Sequence, residues 1–62
     1  MSVIIERNDY KLILEKNKLD NLPDTYELVF HREVIKDDKV QTFTSTIFYM
    51  SSSEIEKLKA AL

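Results

Sequence analysis

His31 is the single histidine of this chain, and Glu27 and Glu33 flank it at even spacing. On an extended strand alternate side chains share a face, so this spacing gathers one imidazole and two carboxylates. Such a set supplies ligands for a divalent metal, or a general base oriented by a carboxylate. A catalytic centre needs several converging groups and a cleft to hold the substrate. The sequence shows no nucleophile with an adjacent base, and it has no cysteine to contribute a thiolate. The expectation is therefore a solvated His31, with no catalytic residues, no metal site and no cofactor. Asp37-Asp38 pairs two carboxylates but reads as the polar tip of a hairpin. The run Ser51-Ser52-Ser53 offers hydroxyls, and helix capping accounts for it.

The elements that carry these residues follow from hydrophobic spacing. Val3-Ile4-Ile5 and Tyr10 to Leu14 flank Asn8-Asp9, a two-residue hairpin loop. That loop sets Glu6 against Lys11, Ile5 against Leu12 and Val3 against Leu14, so opposite charges and apolar pairs meet. Asn17 to Thr25 is polar, contains the only proline, Pro23, and reads as a connecting loop, with Leu19 and Leu22 as anchors. Tyr26 to Ile35 and Val40 to Met50 are rich in strand formers and flank Asp37-Asp38. A regular pairing across that tip sets Tyr26 against Tyr49, Leu28 against Ile47, Phe30 against Ser45 and Arg32 against Phe43. One face then collects Tyr26, Leu28, Phe30, Val34, Phe43, Ile47 and Tyr49. The other collects Val29, His31, Thr42, Thr44, Thr46 and Phe48.

Ser51 and Glu54 have the spacing of a capping box, with Met50 and Ile55 at the positions of a hydrophobic staple. Ile55, Leu58 and Leu62 form one apolar stripe. The predicted fold is α+β: a four-stranded antiparallel sheet of two consecutive hairpins, with one C-terminal helix packed across the aromatic face, all in one domain over 1–62.

Composition narrows the function. With 62 residues the chain buries little surface, and it has no disulfide to compensate. Nine basic and 11 acidic residues give a net charge of −2, with no long run of either sign. No apolar stretch is long enough to span a membrane, and no signal peptide is visible, so a cytoplasmic location is expected. Without glycine the phosphate-binding loops and dinucleotide fingerprints cannot form, and turns fall to Asn and Asp.

A helix of about 16 Å covers only one face of such a sheet. The open face is expected to bind a partner through Val29, His31, Thr44, Thr46 and Phe48. The expected function is a small non-enzymatic interaction protein: a homodimeric regulator or inhibitor, of phage origin as one option, that occupies a partner protein's surface. The alternative is a sheet platform for single-stranded nucleic acid, disfavoured by the acids on the open face. The segment Ile47-Phe48-Tyr49-Met50-Ser51-Ser52-Ser53-Glu54-Ile55-Glu56-Lys57-Leu58, closing four strands with a helix, resembles the positive-cofactor-four type of single-stranded-DNA-binding coactivator. The basic strand residues of that family are not matched, so no functional residue is carried over. The size and sheet-plus-helix layout also resemble small phage proteins that inhibit host enzymes as dimers.

Overall fold

The computed structural model describes residues 1–62, in the order β1 (Ser2–Glu6), β2 (Tyr10–Lys18), β3 (Thr25–Lys36), β4 (Lys39–Ser51) and α1 (Ser52–Ala61). The strands form one antiparallel sheet in the order β1-β2-β3-β4, so every neighbour in sequence is a neighbour in space. This is the predicted ββββα fold, with a third hairpin, since β2 also pairs directly with β3. Asn17 and Lys18, expected in the loop, instead extend β2 and pair with Glu27 and Tyr26. The loop shrinks to Leu19–Asp24, closed by the Leu19 N–H donating to the Thr25 carbonyl at 3.1 Å. Leu19 is half-buried, but Leu22 stays exposed and does not anchor it.

With no glycine available, aspartate takes every left-handed position: Asp24, Asp37 and Asp38, at φ 51°, 55° and 60°. Consecutive positive φ values at Asp37 and Asp38 give the mirror-image turn whose twist matches a two-residue hairpin. The expected turn therefore forms, with Lys36 opposite Lys39 and Ile35 opposite Val40.

The register beyond that turn differs from a regular hairpin. Val34 pairs with Thr42, which leaves Gln41 as an extra residue in β4. A bulge of this kind puts two residues opposite one and shifts everything after it. Tyr26 thus opposes Met50, Leu28 opposes Phe48, Phe30 opposes Thr46 and Arg32 opposes Thr44. A second irregularity at Ile4 places Val3 opposite Ile13, not Leu14, while Glu6–Lys11 and Ile5–Leu12 pair as expected. A shift of one residue moves a whole strand's side chains to the other face. The predicted aromatic face is accordingly split. Tyr10, Tyr26, Phe30 and Phe48 share one face, where Phe30 and Phe48 meet edge to face at 6.0 Å. Phe43 and Tyr49 lie on the other, with Val29 and His31.

The helix begins as its sequence requires. Glu54 N–H donates to Ser51 Oγ at 3.3 Å, and Ser51 N–H donates to Glu54 Oε1 at 2.8 Å, completing the capping box. The hydrogen bond from the Ser51 backbone holds the Glu54 carboxyl below the usual carboxylate range. Ser52 Oγ donates to Asp24 at 2.7 Å, tying the helix start to the β2–β3 loop. Of the predicted stripe Ile55 is buried and Leu58 half-buried, but Leu62 caps the helix and is exposed. The helix makes its principal contact with β4.

Only Leu28, Val29 and Ile55 are buried. Leu28 and Val29 are successive residues of β3, flanked by strands on both sides, so the core is the middle of the sheet on both of its faces. The molecule is a thin slab, 44 × 26 × 14 Å.

Candidate functional site

The two sheet faces differ in chemistry, and register alone produces the difference. Lys16, Lys18, Arg32, Lys36 and Lys39 fall on the face of Phe30 and Phe48. No acidic strand residue joins them there. Glu6, Glu15, Glu27 and Glu33 fall on the opposite face, with Lys11 and His31. The small net charge conceals this separation. On the basic face the Lys16 ammonium sits 4.6 Å from the centre of the Tyr26 ring, a cation–π contact.

The acidic face holds a hydrogen-bonded chain across three strands. Asn17 Nδ2 donates to Glu27 Oε1 at 3.3 Å and to Glu15 Oε2 at 2.8 Å. Glu15 Oε1 lies 3.5 Å from His31 Nε2, an ion pair when the imidazole is protonated. His31 Nδ1 and Ser45 Oγ are 2.8 Å apart and share a hydrogen bond. The Phe43 ring stacks on the imidazole with centroids 5.8 Å apart and planes 22° from parallel. The hydrogen bonds from Asn17 and then His31 hold the Glu15 carboxyl below its usual range.

Carboxylate, imidazole and hydroxyl in line are the components of a nucleophilic triad. Sequence reasoning set Glu6, Glu15, Glu27 and Glu33 on the face of His31, but it paired the imidazole with Glu27 and Glu33 and missed Ser45, which the regular register sets opposite Phe30. The partners lie on neighbouring strands, so only the register across two hairpins finds them. The chain Glu15–His31–Ser45 stands on an open sheet surface with no enclosing cavity, whereas acyl transfer requires a concave site with oxyanion donors around the reacting carbon. What the geometry accomplishes directly is to tie β2, β3 and β4 together. No three of the His, Asp and Glu residues converge as a metal site would require.

The five residues expected to form one binding surface do not share a face. Val29 and His31 lie on the acidic side, and Thr44, Thr46 and Phe48 on the basic side. Val29 is only 6% exposed, because β2 and β4 flank it on the central strand, and it is withdrawn from contact. Exposed apolar side chains gather instead on β4: Val40, Phe43, Ile47, Phe48 and Tyr49. Val40, Phe43, Ile47 and Tyr49 lie on the acidic face beside His31 and only Phe48 on the basic one, so the exposed apolar surface of this edge strand lies mainly on one side. No helix is long and apolar enough to cross a membrane. Comparison with known family models, curated proteins and solved structures gives no match, so neither resemblance assigns the chain to a family.

Proposed function

We propose that this chain is a non-enzymatic protein-interaction module, homodimeric, that regulates or inhibits a partner protein by covering part of its surface. One observation carries the reading: the isolated chain is under-buried, and half of its exposed large apolar side chains lie on one strand, β4. A folded monomer of 7.3 kDa ordinarily exposes about 4,200 Å², and this one exposes 4979 Å². The excess of roughly 800 Å² is about one partner's share, ~800 Å², of a standard interface. On β4, Phe43, Ile47, Phe48 and Tyr49 are about half exposed or more.

The test uses one charged substitution on each side of β4. Phe48→Asp and Tyr49→Asp are each compared with wild type for mass by light scattering and for partners retained in affinity purification from the native host. At least one variant should lose self-association or a partner that wild type holds. If both behave as wild type in both measurements, the reading is wrong.

A second reading, a platform for single-stranded nucleic acid, is favoured by one specific observation. The basic face brings Lys16, Lys18, Arg32 and Lys36 together with Phe30 and Phe48 and with no acid among them. Cations that neutralise phosphate beside stacking aromatics are what such binding uses. Four phosphate contacts would give log K against log salt a slope of about −3. Fluorescence anisotropy with a labelled oligonucleotide should then show salt-dependent binding that Arg32→Glu weakens. Absence of binding at micromolar protein and low salt removes this reading.

A further inference from the structure

We infer that the free edge of β4 pairs with β4 of a second copy, antiparallel, about a two-fold axis normal to the sheet and passing near Thr46. The inference rests on the interaction-module reading and names one of its partners: this chain itself.

The direction of the backbone groups comes first. The Ile35 N–H donates to the Asp9 carbonyl at 2.9 Å, and the Thr25 carbonyl accepts from Leu19. Odd-numbered residues of β3 therefore turn their backbone groups toward β2. Even-numbered ones turn toward β4, because hydrogen-bonded and non-hydrogen-bonded pairs alternate along an antiparallel ladder. Their partners Thr42, Thr44, Thr46, Phe48 and Met50 are thus engaged with β3. Phe43, Ser45, Ile47 and Tyr49 direct their N–H and C=O groups outward, with no fifth strand to receive them.

Between Phe43 and Tyr49 the strand has none of the features that ordinarily deter edge pairing. Edges are usually short, bulged, or guarded by charge or proline. β1, the other edge, has 5 residues and an irregularity at Ile4. β4 has 13, and from Val40 to Ser51 it holds no charged residue, no proline and no glycine. Its one bulge lies at Gln41, outside the stretch 43–49.

Self-pairing centred on Thr46 engages all four outward residues. Phe43 meets the partner's Tyr49, Ser45 meets the partner's Ile47, and the same two contacts recur across the axis, as a two-fold interface demands. Each hydrogen-bonded pair exchanges two bonds, so about eight bonds form. Because the axis is normal to the sheet, the acidic faces of both copies continue into each other, as do the basic ones. Phe43 and the partner's Tyr49 then form an aromatic cross-strand pair, a favoured combination. The central residue faces itself: Thr46 lies opposite the partner's Thr46 in a non-hydrogen-bonded position, with Cα atoms about 4.5 Å apart. The occupant is a second copy because an uncharged strand meets no repulsion from its own copy, this register satisfies all four outward residues of both copies at once, and it sets the exposed Phe43 ring against the partner's exposed Tyr49.

The absence of cysteine makes the register directly testable. Single variants Thr42→Cys, Thr44→Cys and Thr46→Cys are exposed to oxidised glutathione, and disulfide-linked dimer is followed with time. At Thr46 the Cα separation falls within the disulfide range of ~4.4–6.8 Å. The four-residue offset at Thr44 gives about 14 Å, and the eight-residue offset at Thr42 about 27 Å. Thr46→Cys should therefore cross-link on the order of tenfold faster than either other variant. Ile47→Pro removes an outward N–H without touching the β3 ladder, a placement an edge strand tolerates. It should keep the far-ultraviolet circular dichroism of wild type while lowering the light-scattering mass to that of a monomer. Equal cross-linking at all three positions in a dimer overturns edge pairing and leaves self-association standing. A monomeric mass for wild type at every concentration up to the millimolar range also overturns it, and the partner-capture test with Phe48→Asp and Tyr49→Asp then decides the broader reading separately.

Discussion

Single side chains in this protein hold strands and helix in place more than they fill a core. Ser51 and Glu54 satisfy each other's free groups at the start of α1. Ser51→Ala should cost about 1 kcal/mol, read as a lower urea midpoint, since the helix has only Ile55 buried to anchor it otherwise. Glu15 and Glu54 both carry carboxyls lowered by hydrogen bonds that exist only in the fold. For a group whose folded pKa is depressed, the added stability is complete above the unfolded value and is lost as pH falls through the folded one. Urea midpoints should accordingly hold from neutrality down to the ordinary carboxylate range and decline below it. Glu54→Gln should be less stable at neutrality and show a shallower acid decline. Its two partners are adjacent in sequence to the helix start, so this interaction was visible in the spacing of Ser51 and Glu54. The Glu15–His31–Ser45 chain was not, because its members are brought together by strand pairing and not by spacing.

At the scale of the elements, the two tight turns, the four strands and the helix could be read from local patterns, and the register could not. Asp37-Asp38 announced itself as a turn, but nothing marks Gln41 as a bulge: it is not glycine, and its neighbours Val40 and Thr42 are ordinary strand residues. The bulge makes the difference between a sheet with one aromatic face and the observed sheet with two mixed ones. A regular register looked preferable because it grouped Phe43, Ile47 and Tyr49 with Phe30. The structure gives up that grouping, and Phe43 finds His31 while Phe48 finds Phe30. Aspartate at two successive left-handed positions is strained relative to residues that visit that region freely. Replacing Asp37-Asp38 with Asn-Gly should keep the register and raise stability by about 1 kcal/mol, measured by chemical denaturation. A nuclear Overhauser contact between Phe30 and Phe48 would show that the register is unchanged.

For the whole molecule, three buried residues among 62 are too few to expect a robust isolated monomer, since small folds usually draw on a disulfide, a metal or a second subunit. Cysteine is absent and no metal cluster forms. Any stabilisation that comes from association must follow mass action, so the melting temperature should rise with protein concentration. A melting temperature constant over a hundredfold dilution would indicate that the slab stands alone. The sequence foretold the shortage of burial from length alone. It did not foretell that the exposed surface would be organised around an edge strand, because edge or centre is decided by topology.

The sorting of charge onto opposite faces has a consequence for how the protein meets charged matter. A plate that is basic on one side and acidic on the other carries a dipole moment along its thin axis, whatever its net charge. Such a body turns to suit the surface it approaches. At low ionic strength, where the Debye length is about 30 Å and exceeds the 14 Å thickness, one preparation should be retained on both cation- and anion-exchange media near neutral pH. The net charge of −2 would predict retention on the anion exchanger alone. In both columns elution should come at modest salt, once screening makes each face act only on what it touches.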